Sequence, residues 1–259
     1  ACGCGNFLVI TYRELRLLEI AVLRATYKNG QGVLDIREII WLDVDMMGGI
    51  EYEEFPARIA EVAMWLIDHQ MNMLISNEFG QYFARLPLKK SANIIHGNAL
   101  KVDWETVIPK DKLSYIIGNP PFYGSRNQSK EQKEDMALVF KGIKNFKELD
   151  YIACWFYLAS SYINRKHRFA FVTTTSICEG AQVEQLWPHI QQNDNEIYFT
   201  FKSFNWTNNA KDKAGVTVTI IGVSNKEDKM LKYIYTDSIK QSVNNINGYL
   251  VNAKEVYIT

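Results

Sequence analysis

Asn119-Pro120-Pro121-Phe122 is the stretch of this 259-residue chain best equipped for chemistry. Two successive prolines cannot continue a strand, and proline biases the residue before it towards extended backbone. The preceding run, Tyr115-Ile116-Ile117, is apolar and β-rich, so the chain is held rigid where a predicted strand leaves its sheet. Open α/β sheets bind ligands at that carboxyl edge. The turn offers one side-chain amide, carbonyls freed from sheet pairing and an aromatic face. Such a set accepts hydrogen bonds from an exocyclic amino group while stacking on a flat ring. A tight Pro-Pro turn with an incidental Phe is the plainer alternative.

A second group lies at the start of the chain. Gly3 and Gly5 bracket one residue just ahead of a predicted helix, which lets backbone come close to a ligand. The full dinucleotide pattern G-x-G-x-x-G is not met. Gly49-Ile50-Glu51 reads as a strand end closed by an acid, and an acid there is placed to take both hydroxyls of a ribose. The alternative is a solvated acid at a strand end. Metal chemistry is not expected. Cys2 and Cys4 lack two further ligands at matching spacing, and His69, His96, His167 and His189 are scattered.

These residues need elements to hold them. Leu15, Leu18, Val22 and Ala25 recur at three- and four-residue intervals and predict one stripe of a helix over 11–28. A second helix is expected from Phe55 to about Ile75, with Pro56 in its first turn, acids at its positive end, and Ala60, Ala63, Met64 and Ile67 on one side. Asn93–His96 and Ser114–Gly118 read as short strands, each closed by Gly-Asn. Residues 125–147 are polar and carry Lys130, Lys133, Lys141, Lys144 and Lys147. Helices at 151–163 and 183–191 alternate with strands at 169–175, 197–201 and 215–223, the last two forming a hairpin. The alternation argues for an α/β fold, a mostly parallel sheet with helices on both faces. Residues 1–224 form the domain on this reading, and the polar stretch 225–259 is a connector leading towards another domain.

Composition sets outer limits. Hydrophobic residues make up 47% and charged residues 22%, so a disordered chain is excluded. Lys+Arg and Asp+Glu are both 29, which rules out a strongly basic coat. No apolar run reaches the roughly 18 residues of a membrane helix, so no membrane partner is expected. The cysteine pattern suits a reducing compartment, and a cytoplasmic location is expected.

Ala1-Cys2-Gly3-Cys4-Gly5-Asn6-Phe7-Leu8 resembles the S-adenosyl-L-methionine loop of the amino-group DNA methyltransferases, usually Asp-Pro-Ala-Cys-Gly-Ser-Gly-Asn-Phe-Leu. Asn119–Phe122 matches their Asn-Pro-Pro-aromatic motif. Gly49-Ile50-Glu51, Trp65-Leu66-Ile67-Asp68-His69-Gln70-Met71-Asn72, the stretch from Phe201 to Asn208, and Val243-Asn244-Asn245-Ile246-Asn247 narrow the resemblance. Together they are similar to the methylase module of type IIL/IIG restriction–modification enzymes. The order is gamma-type, cofactor motif before catalytic motif, and the likeness runs from Ala1 to about Leu250.

The resemblance implies a class I methyltransferase fold and S-adenosyl-L-methionine as cofactor. Ala1, Gly3 and Gly5 would border its methionine part, Glu51 would hold the ribose and Tyr52 would contact the adenine ring. Asn98, followed by Ala99, stands where many relatives carry Asp and would bond the cofactor's adenine amino group. Phe122 would stack on a flipped target adenine, while Asn119 and the Pro120 carbonyl, held by Pro121, accept from its N6 hydrogens. Asn at the first motif position favours N6-adenine over N4-cytosine. Phe204 or Trp206 would wall the base pocket, with core packing as the alternative. Lys130 and Lys133 would contact phosphates, or simply form a solvated charged loop. Double-stranded DNA is the implied partner, with a target-recognition domain expected after Thr259 and a nuclease domain before Ala1. The chain starts inside the cofactor loop, so the first strand and its terminal Asp are expected to precede it, and little activity is expected from these residues alone. Net neutrality then places much phosphate neutralisation elsewhere in the enzyme. The same motif in methyltransferases of RNA amino groups or of a protein glutamine amide leaves those substrates open, as does a cofactor-binding role without turnover.

Overall fold

The computed structural model describes residues 2–27, 35–83, 91–164, 167–205, 217–227, 230–237 and 239–255. The chain divides into two compact units, Ala1–Pro109 and Lys110–Thr259. In the first unit the elements run α1 (Asn6–Thr26), α2 (Ile36–Ile39), β1 (Gly48–Glu51), α3 (Glu54–Phe79) and β2 (Asn93–His96). β1 and β2 pair in parallel, with Glu51 opposite His96 at their carboxyl ends.

α1 and α3 pack together, but not by the stripe that hydropathy picks out in α1. Leu18 and Val22 are 60% and 55% exposed, whereas Leu8, Tyr12, Arg16, Ile20 and Leu23 are buried. The helix is apolar on two faces, and the buried one includes an arginine. Arg16 is 0% exposed because Tyr12 and Glu19 accept from its guanidinium, and Tyr12 in turn donates to Asp68 at 2.6 Å. A buried charge is tolerated only when so paired. In α3 three of the four expected positions, Ala60, Met64 and Ile67, are buried, and Ala63 is half-buried. Leu8, Tyr12, Met47, Met64 and Met71 share the core of this unit with Leu42 and Val44.

The second unit contains β3 (Tyr115–Gly118), α4 (Lys130–Val139), α5 (Ala153–Tyr162), β4 (Arg168–Thr174), α6 (Ala181–Gln191), β5 (Asn195–Asn205), β6 (Thr217–Asn225), β7 (Lys232–Thr236) and β8 (Ile239–Val243). The six strands lie in the order β3-β4-β6-β5-β7-β8. β3 and β4 are parallel, as are β5 and β7, while β6 and β8 run antiparallel to their neighbours. Four of the six therefore point the same way, and β5–β6 is the expected hairpin. Phe156 of α5 sits edge-on to Phe169 and Phe171 of β4 and to Trp187 of α6, which fastens both helices to the sheet.

Two segments depart from the sequence reading. Residues 130–139 are helix rather than charged loop. Ser129 and Gln132 form a reciprocal capping box that satisfies the free amides of the first turn. Residues 232–236 and 239–243 are strands β7 and β8 rather than irregular chain, so the sheet continues past residue 224. Lys232 and Ile234 face inwards, with the Lys232 ammonium held by Glu196 at 2.7 Å. No described helix is long and apolar enough to cross a membrane.

Candidate active site

In the first unit the predicted cofactor residues gather at the carboxyl ends of β1 and β2. The loop Cys2–Gly5 is anchored by the Cys2 N–H, which donates to the Ile50 carbonyl at 2.9 Å. It bends through two left-handed glycines, Gly3 at φ 57° and Gly5 at φ 86°, and Gly5 caps α1. A side chain on Gly5 would press on Ala60 of α3 at 3.1 Å, whereas beside Gly3 there is open space. Glu51 is buried, and its carboxylate accepts from the N–H of Gly3 at 2.7 Å and of Glu53 at 3.2 Å. Tyr52, next in the chain, exposes its ring. Past β2, the Asn98 side chain accepts from the Leu100 N–H at 2.9 Å, turning the chain away from the strand. Ala99 is buried, and its carbonyl accepts from the Trp104 indole at 2.8 Å. Ala1 lies outside the described residues.

Asn119 to Phe122 leave β3 at its carboxyl end in the second unit, where β4 runs alongside with Gly118 opposite Phe171. Pro120 is buried, and Asn119, Pro121 and Phe122 are half-buried. The Asn119 Oδ1 is buried and has no hydrogen-bond partner. An unsatisfied buried acceptor is costly, about 1–3 kcal/mol, and marks a position where a donor is wanted.

Sequence reasoning missed what holds this turn. The Asp150 carboxylate, 3% exposed, accepts from the Tyr123 N–H at 2.9 Å and the Ile152 N–H at 3.2 Å through Oδ1, and from the Ser176 hydroxyl at 3.1 Å through Oδ2. The Tyr123 carbonyl accepts from the Tyr151 N–H at 2.9 Å and from the buried Gln128 amide at 3.0 Å. Burial pushes the Asp150 carboxyl above the usual carboxylate range, although the hydrogen bonds it accepts from Ile152, Ser176 and Tyr123 pull it down. The one local signal was an Asp just ahead of an apolar helix, which reads as an ordinary cap.

Phe204 is half-buried near the carboxyl end of β5, beyond a bulge that shifts the register after Phe201. Because β5 points the same way as β3, Phe204 and Phe122 lie towards the same edge of the sheet. Trp206 falls outside the described residues. Lys130 and Lys133 project from α4 into solvent, and Lys130 is 89% exposed with only a loose contact to Glu134 at 4.0 Å. Among the described residues no group of His, Cys, Asp and Glu is placed to hold a metal ion. Charge divides unevenly. The first unit holds ten Lys and Arg against fourteen Asp and Glu, the second nineteen against fifteen. Overall neutrality thus conceals a basic unit, the one that carries the Asn119 turn.

With this geometry in place, comparison with known proteins is informative. The model of the family described as MmeI, DNA-methyltransferase domain, matches residues 1–236. DNA methyltransferase A of Bacillus subtilis (strain 168) is 38% identical over 263 aligned positions, covering 100% of this chain and 30% of that protein. The solved structure of the type IIL restriction-modification enzyme MmeI in complex with DNA matches at a TM-score of 0.91 and 49% identity, over 99% of this chain and 35% of that one. The ATP-dependent type ISP enzyme LlaBIII bound to DNA matches at a TM-score of 0.55 and 16% identity over 96% of this chain, a likeness of fold. The chain spans about a third of the length of the first two relatives.

Proposed function

The chain belongs to the MmeI DNA-methyltransferase domain family, and from that membership we propose that it moves a methyl group from S-adenosyl-L-methionine to the N6 amino group of adenine in double-stranded DNA. It would do so as the methylase part of a restriction–modification enzyme. Choice of sequence would then fall to a target-recognition domain and cleavage to a nuclease domain, both outside these residues.

The observation that carries this reading is the buried, unpartnered Oδ1 of Asn119 in a turn stiffened by Pro120 and Pro121. Adenine N6 is a weak nucleophile because its lone pair is delocalised into the ring. Asn119 Oδ1 and the Pro120 carbonyl would accept from its two hydrogens, which favours a pyramidal nitrogen with the lone pair localised. Fixed acceptors need no reorganisation as the nitrogen develops positive charge. Flipping the base from the duplex costs about a few kcal/mol. Stacking on Phe122 returns about 1–3 kcal/mol of it. Lys130 and Lys133, exposed charges on one helix, suit phosphate contacts that position the duplex without reading it.

The residues of the first unit fit the cofactor. Gly3 leaves open space where a side chain would intrude, and Glu51 uses only part of its accepting capacity on the Gly3 and Glu53 amides, leaving lone pairs for ribose hydroxyls. Asn98 places a side-chain acceptor just past β2, where the cofactor's adenine amino group would lie. S-adenosyl-L-methionine, when bound, supplies an electrophilic methyl group on a positively charged sulfonium. Gly3, Glu51, Tyr52 and Asn98 would orient it by its methionine, ribose and adenine parts.

A radiolabelled methyl-transfer assay on duplex DNA with the intact protein tests the reading. Label is expected in N6-methyladenine after nuclease digestion, and Asn119→Ala is expected to lower the rate by about 10²–10³-fold. Label in RNA or in protein glutamine with none in DNA, or an undiminished rate in Asn119→Ala, would sink it.

A further inference from the structure

We propose that Asp150 is the positioning residue of the catalytic turn, bracing the main chain of Tyr123 and thereby fixing where Phe122 and Asn119 sit. This rests on the reading of Asn119–Phe122 as the turn that meets the target base. Pro120 and Pro121 carry no N–H, so the turn cannot fasten its own outer limb to the sheet through them. The first main-chain donors beyond Asn119 belong to Phe122 and Tyr123. Tyr123 is held from both sides: its N–H donates to Asp150 Oδ1 at 2.9 Å, and its carbonyl accepts from the Tyr151 N–H at 2.9 Å and from Gln128 at 3.0 Å. Gln128 also donates to the Leu149 carbonyl at 3.0 Å, so the same side chain ties Tyr123 to the segment that carries Asp150.

Asp150 itself is immobilised. Its N–H donates to the Gln182 side chain at 2.9 Å, its Oδ1 also takes the Ile152 N–H at the start of α5, and its Oδ2 takes the Ser176 hydroxyl at 3.1 Å. Ser176 belongs to the turn that follows β4, the parallel neighbour of the strand carrying Asn119. One buried carboxylate therefore links the turn after β3, the turn after β4 and the head of α5. A carboxylate suits the place because it accepts along several directions at once, whereas an apolar side chain would leave the Tyr123 amide without this partner.

The test is steady-state kinetics of the intact protein, with binding of cofactor and of duplex measured separately. Asp150→Ala is expected to lower kcat by about 10²-fold, the scale of a misplacement of about 1 Å, while KM for the cofactor and affinity for DNA stay close to wild type. Asp150→Asn keeps an acceptor towards Tyr123 and Ile152 and is expected to recover most of that loss. Wild-type kcat in Asp150→Ala, an Asp150→Asn variant as slow as the alanine, or a loss confined to KM would each overturn the proposal. Should Asp150→Ala not fold, Ser176→Ala decides, since it releases one carboxylate oxygen without opening a large cavity. A lowered kcat with KM kept supports the brace, and an unchanged kcat overturns it. Asn119→Ala is run alongside. If it is inactive while Asp150→Ala is fully active, only the brace fails; if both are fully active, the reading of the turn itself fails.

Discussion

Glu51, the last residue of β1, accepts the main-chain N–H of Gly3 at 2.7 Å, so the acid assigned to the ribose also shapes the loop assigned to the methionine part. The two halves of the proposed cofactor site are therefore coupled through one side chain. Charged hydrogen bonds contribute about 1.5–3 kcal/mol each. Glu51→Ala is expected to weaken S-adenosyl-L-methionine binding by about 10- to 100-fold, and Glu51→Gln by less, because Gln keeps one acceptor for Gly3. Isothermal titration calorimetry checks this, with DNA affinity expected to remain unchanged.

Asp68 ties α3 to α1 through a chain of buried polar groups. It accepts from the Tyr12 hydroxyl at 2.6 Å and from the Asn72 amide at 3.0 Å, and the Arg16 guanidinium donates to the same Tyr12 oxygen at 2.6 Å. Removing one member of such a set strands the others, and Asp68→Ala is expected to lower stability by about 3–5 kcal/mol. Tyr12→Phe leaves Arg16 paired with Glu19 and is expected to cost about 1–3 kcal/mol. Urea unfolding measures both, and the double variant is expected to lose less than the sum, since the groups act as one network.

How far the sequence carried the reading differs from residue to residue, for physical reasons. Asn93–His96 and Tyr115–Gly118 were legible almost to the residue, because short β-branched runs closed by Gly-Asn leave little choice. The buried face of α1 was not, since a hydropathy stripe cannot anticipate an arginine at 0% exposure satisfied by Tyr12 and Glu19 of its own helix. α4 hid behind its charge, although Ser129 and Gln132 spell a capping box. β7 and β8 hid behind Lys232, Lys240 and Gln241: Lys232 is buried but paired with Glu196, and Lys240 and Gln241 lie exposed on the edge strand β8. The Asn119 turn and Glu51 were visible as motifs. Asp150 was not, because the amide it holds lies 27 residues upstream and no local pattern reports a contact of that span.

Burial pushes the Asp150 carboxyl up, and this has a consequence for stability. The folded state holds the proton more tightly than the unfolded chain does. Between the unfolded and the folded value the native state therefore binds more protons, and its stability falls as pH rises through that window. Asp150→Asn does not titrate. Its melting temperature relative to wild type is expected to be lowest in acid, to rise as pH passes from the unfolded carboxyl value of about 3.9 through the raised folded value, and to level off above it. Scanning calorimetry across that range checks the sign; a difference independent of pH would show that the carboxylate is not strained by burial.

Gly3 and Gly5 both sit in the left-handed region, yet alanine at the two positions is expected to fail differently. At Gly5, φ is 86° and a Cβ would lie 3.1 Å from the Ala60 Cβ and 3.2 Å from its Cα, which is backbone and cannot swing away. Gly5→Ala thus adds a clash between α1 and α3 to the intrinsic left-handed penalty of about 1–2 kcal/mol. Its expected signature is a lowered melting temperature. At Gly3, φ is 57° and nothing lies within 4 Å of the added carbon, so the folded chain bears only the intrinsic penalty. That carbon would occupy space assigned to the cofactor, and Gly3→Ala is expected to lose cofactor affinity out of proportion to its small loss of stability. Differential scanning fluorimetry with and without S-adenosyl-L-methionine separates the cases: Gly5→Ala should melt early but still gain from the ligand, and Gly3→Ala should melt near wild type and gain little. Equal ligand-induced shifts in the two variants would remove the cofactor from the open side of Gly3.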